Sequence, residues 1–379
     1  MKKSTFFAVV VAVFVLLMTV QVFAGGNRER ADGNIKIAVA VPLTGNNAEY
    51  GRSFLTAAEI MADKWNAAGG VLGRQVTIVS YDDRNSADEA ASIAERIVSD
   101  KDIHFVMGHF ASGVSMAAGP TYQENQVIMI SPTSTHPDYT SIGDYVFRTC
   151  TIITDEFRFA MDILANDLQA RNVAVVAIKT DWGNTAGNIA VDLIRNDPRL
   201  NLVIHEEVME TSNDYGPEIA KIRASGADTV YMIGMYSFYA PFVRQFREVD
   251  PSIKLAAVAN AYTRQIIELG GVAATEGIIM PVSFYSESDN PIIREFVDEF
   301  KKRFGMEPSS MAAQAYDAVG IMLQATKDAG TLNRARLRDA VQKISYPGAT
   351  GIITFNEYGD AYKIFEKVII RNGRFVPFR

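Results

Sequence analysis

From Ile35 to the tail, apolar runs of strand length alternate with stretches of helical periodicity across short connections, and this alternation limits the possible folds more than any other feature. Ile35 to Val41, Val76 to Tyr81 and Ile103 to Met107 read as strands. Tyr50 to Ala68, with Phe54, Ala57, Ala58, Met61 and Trp65 at helical spacing, reads as a helix ended by Gly69-Gly70, and Ala87 to Val98 as a second helix. Strand then helix, repeated, calls for parallel βαβ units and a sheet covered on both faces. A second series begins after Arg148-Thr149-Cys150, with a helix at Asp155 to Gln169, a strand at Val173 to Ile178 and a helix at Gly183 to Ile194. Leu202 to Glu207, Gly216 to Ala224, Thr229 to Gly234, Pro241 to Arg247, Lys254 to Ala259 and Gln265 to Leu269 continue it. A polar excursion from Tyr285 to Pro291 follows Ile278 to Pro281, and helices are expected at Pro291 to Phe304, Ser310 to Ala329 and Leu332 to Lys343. The tail reads as a hairpin of Gly351 to Phe355 with Tyr362 to Ile370, joined through Asn356 to Asp360. Two α/β lobes with late helices returning to the first would leave a cleft between them, a common place for small-molecule sites.

The start of the chain reads as an export signal: Lys2 and Lys3, an apolar run from Phe6 to Val20, and the small-residue pattern Val22-Phe23-Ala24. An uncleaved anchor is the alternative, although the run is short for a membrane span. Gly25 to Gly33 reads as a disordered leader. Removal of the signal leaves about 355 residues, which suits two domains better than one core. A net charge of -7 argues against a nucleic-acid partner, which would need a clustered basic surface. Cys150 is the only cysteine, so an exported protein must here be stabilised by its cores and not by an internal disulfide.

Candidate chemistry concentrates in Val106 to Pro137. Two strand ends there, at Gly108-His109-Phe110-Ala111-Ser112-Gly113 and Ser131-Pro132-Thr133-Ser134-Thr135, offer small hydroxyl residues and backbone N–H groups where open α/β sheets bind ligands. A helix N-terminus behind them favours an anion such as a carboxylate. The plainer reading makes Ser112 a helix N-cap and nothing more. No enzyme is indicated. Gly-x-Ser-x-Gly is absent, Ser112 and His109 lack an assignable acidic partner, and Val41-Pro42-Leu43-Thr44-Gly45 stands where a dinucleotide fingerprint would follow the first strand. No two of His104, His109, His136 and His205 have metal-ligand spacing on one element, so neither a metal nor a cofactor is expected. Asp82-Asp83 reads as a strand-end cap, and Trp182 and the group Tyr231, Tyr236, Phe238 and Tyr239 fit core packing as well as recognition.

Further residues carry a resemblance. Tyr50-Gly51, Trp65-Asn66-Ala67-Ala68-Gly69-Gly70-Val71-Leu72-Gly73-Arg74, Tyr81-Asp82-Asp83, Gly108-His109, Ile130-Ser131-Pro132, Phe147-Arg148-Thr149, Asp181-Trp182-Gly183 and Thr275-Glu276-Gly277 together resemble the leucine/isoleucine/valine-binding proteins, periplasmic solute receptors of ABC transporters. The resemblance implies an α/β type I periplasmic-binding-protein fold, in which two Rossmann-like three-layer lobes joined by a three-segment hinge close over the ligand. The implied crossings fall near Ile152, Ser283 and Thr350. The lobes are then 34–152 plus 284–350 and 153–283 plus 351–379, after a signal peptide at 1–24 and a leader at 25–33. By the same resemblance Ser112, Thr133, Ser134 and Thr135 hold a ligand carboxylate, Tyr50 closes over the ligand, and Trp182 occupies the place of an aromatic lid.

Two positions depart from the family pattern. The amino-acid receptors place an acid on the second lobe for the α-ammonium, and Asn260 stands there; Met235 aligns with a frequent tyrosine, with Tyr236 beside it. An amide cannot neutralise a buried cation, so leucine, isoleucine and valine are expected to bind weakly unless another acid, Asp155 or Asp181, takes the role. Asn85 and Ala111 stand where some members pair cysteines. The expectation is a monomeric periplasmic substrate-binding component of an ABC importer, which takes a small carboxylate-bearing ligand and meets the permease subunits. The competing reading is an extracytoplasmic sensor for an amide or organic acid that acts through a signalling partner.

Overall fold

The computed structural model describes residues 33–378, so the expected signal peptide and nearly all of the leader lie outside the described residues. β1 (Ile35–Val41), α1 (Ala48–Ala67), β2 (Val76–Asp82), α2 (Ala87–Ser99), β3 (Ile103–Gly108), α3 (Ser112–Glu124), β4 (Ile128–Ser131) and β5 (Val146–Arg148) form a parallel sheet of order β2-β1-β3-β4-β5 with its helices. Side chains alternate across a strand, and β1 is apolar on both faces. Ile35, Ile37, Val39 and Val41 pack with Phe54 and Ala57 of α1, while Ala38 and Ala40 face Ile93 and Ile97 of α2 and Val114 and Ala118 of α3.

α4 (Ile153–Asp162), β6 (Asn172–Ile178), α5 (Asp181–Asn196), β7 (Asn201–Val208), α6 (Gly216–Ala224), β8 (Thr229–Ile233), α7 (Tyr236–Val249), β9 (Lys254–Ala257), α8 (Arg264–Gly270), α9 (Val272–Thr275) and β10 (Ile279–Val282) build the second lobe. Its sheet runs β7-β6-β8-β9-β10 in parallel. In each sheet the first strand lies between the second and third, so chain direction across the sheet reverses beside it. The crevice at that reversal, at the carboxyl ends of the strands, is where open α/β sheets take ligands. The molecule is a type I periplasmic-binding-protein fold of two lobes.

α10 (Pro291–Phe304) and α11 (Ser310–Ala329) return to pack on α1, followed by α12 (Arg334–Gln342). The tail differs from the expected hairpin. β11 (Tyr346–Gly348) pairs with β12 (Gly351–Ile353), and β13 (Glu366–Arg371) pairs with β14 (Arg374–Pro377) and with β10, extending the second sheet. The turn Asn372-Gly373 has positive φ at both residues, the geometry of a two-residue hairpin, and it decides this pairing. Asn356 to Asp360 closes on itself and stays on the first lobe: Phe355 packs on Phe147 at 5.2 Å, and Arg148 pairs with Asp360 at 2.6 Å. Beyond it, Phe365 packs on Phe159 of α4 with centroids 5.5 Å apart. The helix expected to reach Gln169 instead ends at Asp162 and relaxes into a π-turn over Ile163–Asp167.

Candidate ligand-binding site

A cavity of about 290 Å³ lies between the lobes. Its walls follow the carboxyl ends of parallel strands: Asn47 after β1, Asn85 after β2, Phe110 to Val114 after β3, and Thr133 and Thr135 after β4. The second lobe supplies Ile178, Thr180, Asp181 and Trp182 around the end of β6, Glu210 after β7, Met235 after β8 and Asn260 after β9. Gly183 lets α5 start this close to the sheet, because a Cβ there would stand 2.0 Å from the Ile178 carbonyl oxygen.

On the first lobe, α3 begins at Ser112 with Ala111 as its N-cap, so no side chain caps its first N–H groups. Ser112 is a first-turn residue and not the cap. Its Oγ accepts the His136 N–H at 3.4 Å, leaving its own hydrogen free to donate. Thr133 donates its hydroxyl to the Phe110 carbonyl at 2.7 Å and so faces the cavity only as an acceptor. Ser134 is fully buried in a hydroxyl chain with Ser131 at 2.7 Å and Ser115 at 2.6 Å and does not reach the cavity wall. The loop is pinned from below by Arg148. That side chain is 0% exposed and donates to Asp360 and to the carbonyls of Ser134 and His136, the last two at 2.8 Å each.

Thr135 and Trp182 meet across the cleft, the indole N–H donating to Thr135 Oγ1 at 2.9 Å. A second bridge runs from the Tyr236 hydroxyl to Glu49 at 3.3 Å. Tyr236 and Tyr50 lie off the cavity wall. Tyr50 stacks on Phe110, with centroids 5.0 Å apart, and supports that lining ring from behind. Burial raises the Tyr50 hydroxyl well above the usual tyrosine range. Phe238 and Tyr239 are buried core residues of α7.

Asn260 faces the cavity with its amide donating to Met235 Sδ at 3.6 Å. Its turn is held by Glu156 of α4, which accepts the Ala259 N–H at 2.7 Å; burial pushes that carboxyl up to about 7. Of the two acids considered for the ammonium, Asp155 is exposed and paired with Arg158, while Asp181 lines the cavity. Glu210 lines it too and went unread in the sequence, because it sits in a loop without periodicity. Its one signal is position, two residues past a strand end. Asp82 is the strand-end cap it looked like, accepting from the Leu43 N–H at 2.8 Å and the Thr44 hydroxyl at 2.6 Å.

The family model described as "Periplasmic binding protein" matches residues 34–362. A Leu/Ile/Val-binding protein homolog of Brucella melitensis is 28% identical over 95% of this chain and 94% of its own length. The leucine-, isoleucine-, valine-, threonine-, and alanine-binding protein of Pseudomonas aeruginosa is 28% identical over 87% of this chain and 88% of its own. A leucine-binding protein of Thermotoga maritima superposes with a TM-score of 0.82 at 28% identity, covering 91% of this chain and 98% of that one. The chain belongs to the periplasmic binding proteins, in the leucine/isoleucine/valine-binding family.

Proposed function

We propose that this protein is the periplasmic substrate-binding component of an ABC importer, capturing a small carboxylate-bearing ligand, an amino acid or a related compound, between its lobes and presenting it to the permease. The observation that carries this reading is the uncapped N-terminus of α3 opening onto the interlobe cavity beside the free hydroxyl hydrogens of Ser112 and Thr135. N–H groups at a helix start, with the positive end of its dipole, are a ready site for a carboxylate. A volume of about 290 Å³ lies at the small end of ligand sites, near ~300 Å³, and fits a compact metabolite.

The lobes in this reading are 34–152 plus 284–361 and 153–283 plus 362–378. Contacts from both walls exist together only when the cleft is closed, so the ligand favours the closed form in proportion to its preference for it. The permease then reads that shape. Calorimetry on the purified protein with a panel of amino acids and carboxylates tests the assignment. Ser112→Ala should weaken whatever carboxylate binds by about 1.5–3 kcal/mol, the worth of a hydrogen bond to a charged group. Affinity unchanged in both Ser112→Ala and Thr135→Ala would remove the carboxylate from this end of the cleft.

A further inference from the structure

Among the described residues the cavity lining holds no Lys, Arg or His, and it carries two carboxylates, Asp181 and Glu210, both from the second lobe. The two are placed differently. Asp181 stands in the first turn of α5 and against the start of α3, since a Cβ on Gly113 would be 3.5 Å from its Oδ2. Its charge faces helix N-termini, which favour anions. Glu210 stands on the segment after β7, beside the first turn of α7. The Ser237 hydroxyl donates to its Oε1 at 2.8 Å, and its Oε2 has no hydrogen-bond or ion-pair partner among the described residues. The backbone around it is fixed as well, because the buried Tyr215 hydroxyl reaches the carbonyls of Met209 at 3.1 Å and Glu210 at 3.3 Å.

A third acceptor points the same way. The side-chain oxygen of Asn85, on the first lobe's part of the wall, is buried without a hydrogen-bond partner among the described residues. Beyond the carboxylate clamp the cleft thus holds acceptors in want of donors. Asn260 cannot balance a positive charge, and its amide N–H is directed at Met235.

We infer that Glu210 is the residue that binds the ligand's cationic nitrogen, so that the ligand is a zwitterion and the carboxylate missing at position 260 is supplied from the loop after β7. This rests on the cleft being the ligand site and deepens that reading. Asn260 is then a neighbour of the cation and not its counter-charge. A carboxylate with no positive group would instead bring a third negative charge into a cavity that already holds two and offers no cation to meet it.

The test is calorimetry with leucine, valine and alanine against their des-amino partners isocaproate, isovalerate and propionate, on the wild-type protein and on Glu210→Gln. Binding should be confined to the amino acids, and Glu210→Gln should weaken it by about tenfold or more with the melting temperature of the free protein unchanged. Adding Asn260→Glu to Glu210→Gln should restore amino-acid binding, which a merely structural loss would not permit. Ser237→Ala, which only frees the carboxylate, should cost a few-fold and serves if Glu210→Gln does not fold. A des-amino acid that binds as well as its amino acid, or full affinity in Glu210→Gln, overturns the assignment of Glu210. If those des-amino acids still depend on Ser112, the carboxylate site stands and only the cation assignment falls. Failure of both compound classes to bind takes down both.

Discussion

Behind each wall of the cleft lies a buried ionisable group, and the two groups differ in kind. Arg148, at the end of β5, ties the loop that carries Thr135 through a permanently charged guanidinium with an acidic partner and several carbonyl acceptors. Glu156, a few residues later in α4, ties the turn that carries Asn260 through a carboxyl that accepts the Ala259 N–H, its one hydrogen bond among the described residues. The first crossing between the lobes runs between them. One wall is therefore tied by an ion pair, whereas the other is held by a single carboxyl that burial raises to about 7. The first wall presents small hydroxyls and helix N–H groups, which suit any carboxylate. The other wall carries Asp181, Trp182, Glu210, Met235 and Asn260, long side chains that distinguish one ligand from another.

The largest effect should come from breaking the permanent tie. Arg148→Met leaves Asp360 buried without its counter-charge and frees the loop carbonyls, a change that typically costs about 3–5 kcal/mol. Urea unfolding of the variant should show an unfolding free energy lower by that amount, with ligand binding lost as Thr135 loses its support. A near-native midpoint would mean that Asp360 finds water on the first-lobe surface and that this wall is not set by Arg148.

Glu156 should show itself as a pH dependence. Its folded-state value, about 7, lies above that of an unfolded glutamate, near 4.5, so the folded state prefers the protonated acid. The stability this contributes is fully present below pH of about 4.5 and is lost as pH rises through about 7, on the order of 3 kcal/mol in all. Glu156→Gln keeps an acceptor for the Ala259 N–H without the titration, so its unfolding free energy should be flatter over that window. Parallel curves for the two proteins would show that the carboxylate is solvated and would remove the contrast between the walls.

How far the sequence reveals each wall depends on how local its signals are. The parallel lobes follow from strand and helix periods and need no contact information, and the hydroxyls of the first wall lie in one continuous stretch between Val106 and Pro137. The second wall is gathered from four strand ends, with four residues around the end of β6 and one each after β7, β8 and β9, so no single stretch of sequence announces it. Glu210 was hidden for that reason, and because the end of β7 was read one residue short, at Glu207 and not Val208. Tyr50 and Tyr236, expected at the ligand, meet each other with centroids 5.4 Å apart and lie off the cavity wall, and position alone does not reveal that Phe110, stacked on Tyr50, takes the place in the lining. In the tail Asn356 to Asp360 reads as a hairpin turn, but Asn372-Gly373, with positive φ at both residues, is the turn that joins two paired strands.

Where the walls touch, the expected effects are smaller. Thr135→Ala removes both a hydroxyl hydrogen facing the ligand and the acceptor of the Trp182 indole, so ligand affinity should fall by about 1.5–3 kcal/mol. Trp182→Phe is the finer probe. It keeps an aromatic cover on the cavity and removes only the N–H that donates to Thr135, a net hydrogen bond of about 0.5–1.5 kcal/mol. That bond joins the lobes through protein atoms alone, so it biases the cleft toward closure and subtracts from the closing work the ligand must do. Its loss should appear as a several-fold weaker affinity together with a more expanded ligand-free protein in small-angle scattering, the ligand-bound dimensions being unchanged. Thr135 freed of the indole can also donate and accept toward the ligand without competition, and this opposes the loss. Unchanged affinity with an expanded free form would mean that the two effects cancel, whereas unchanged dimensions would show that Tyr236 and Glu49 hold the cleft closed without the indole.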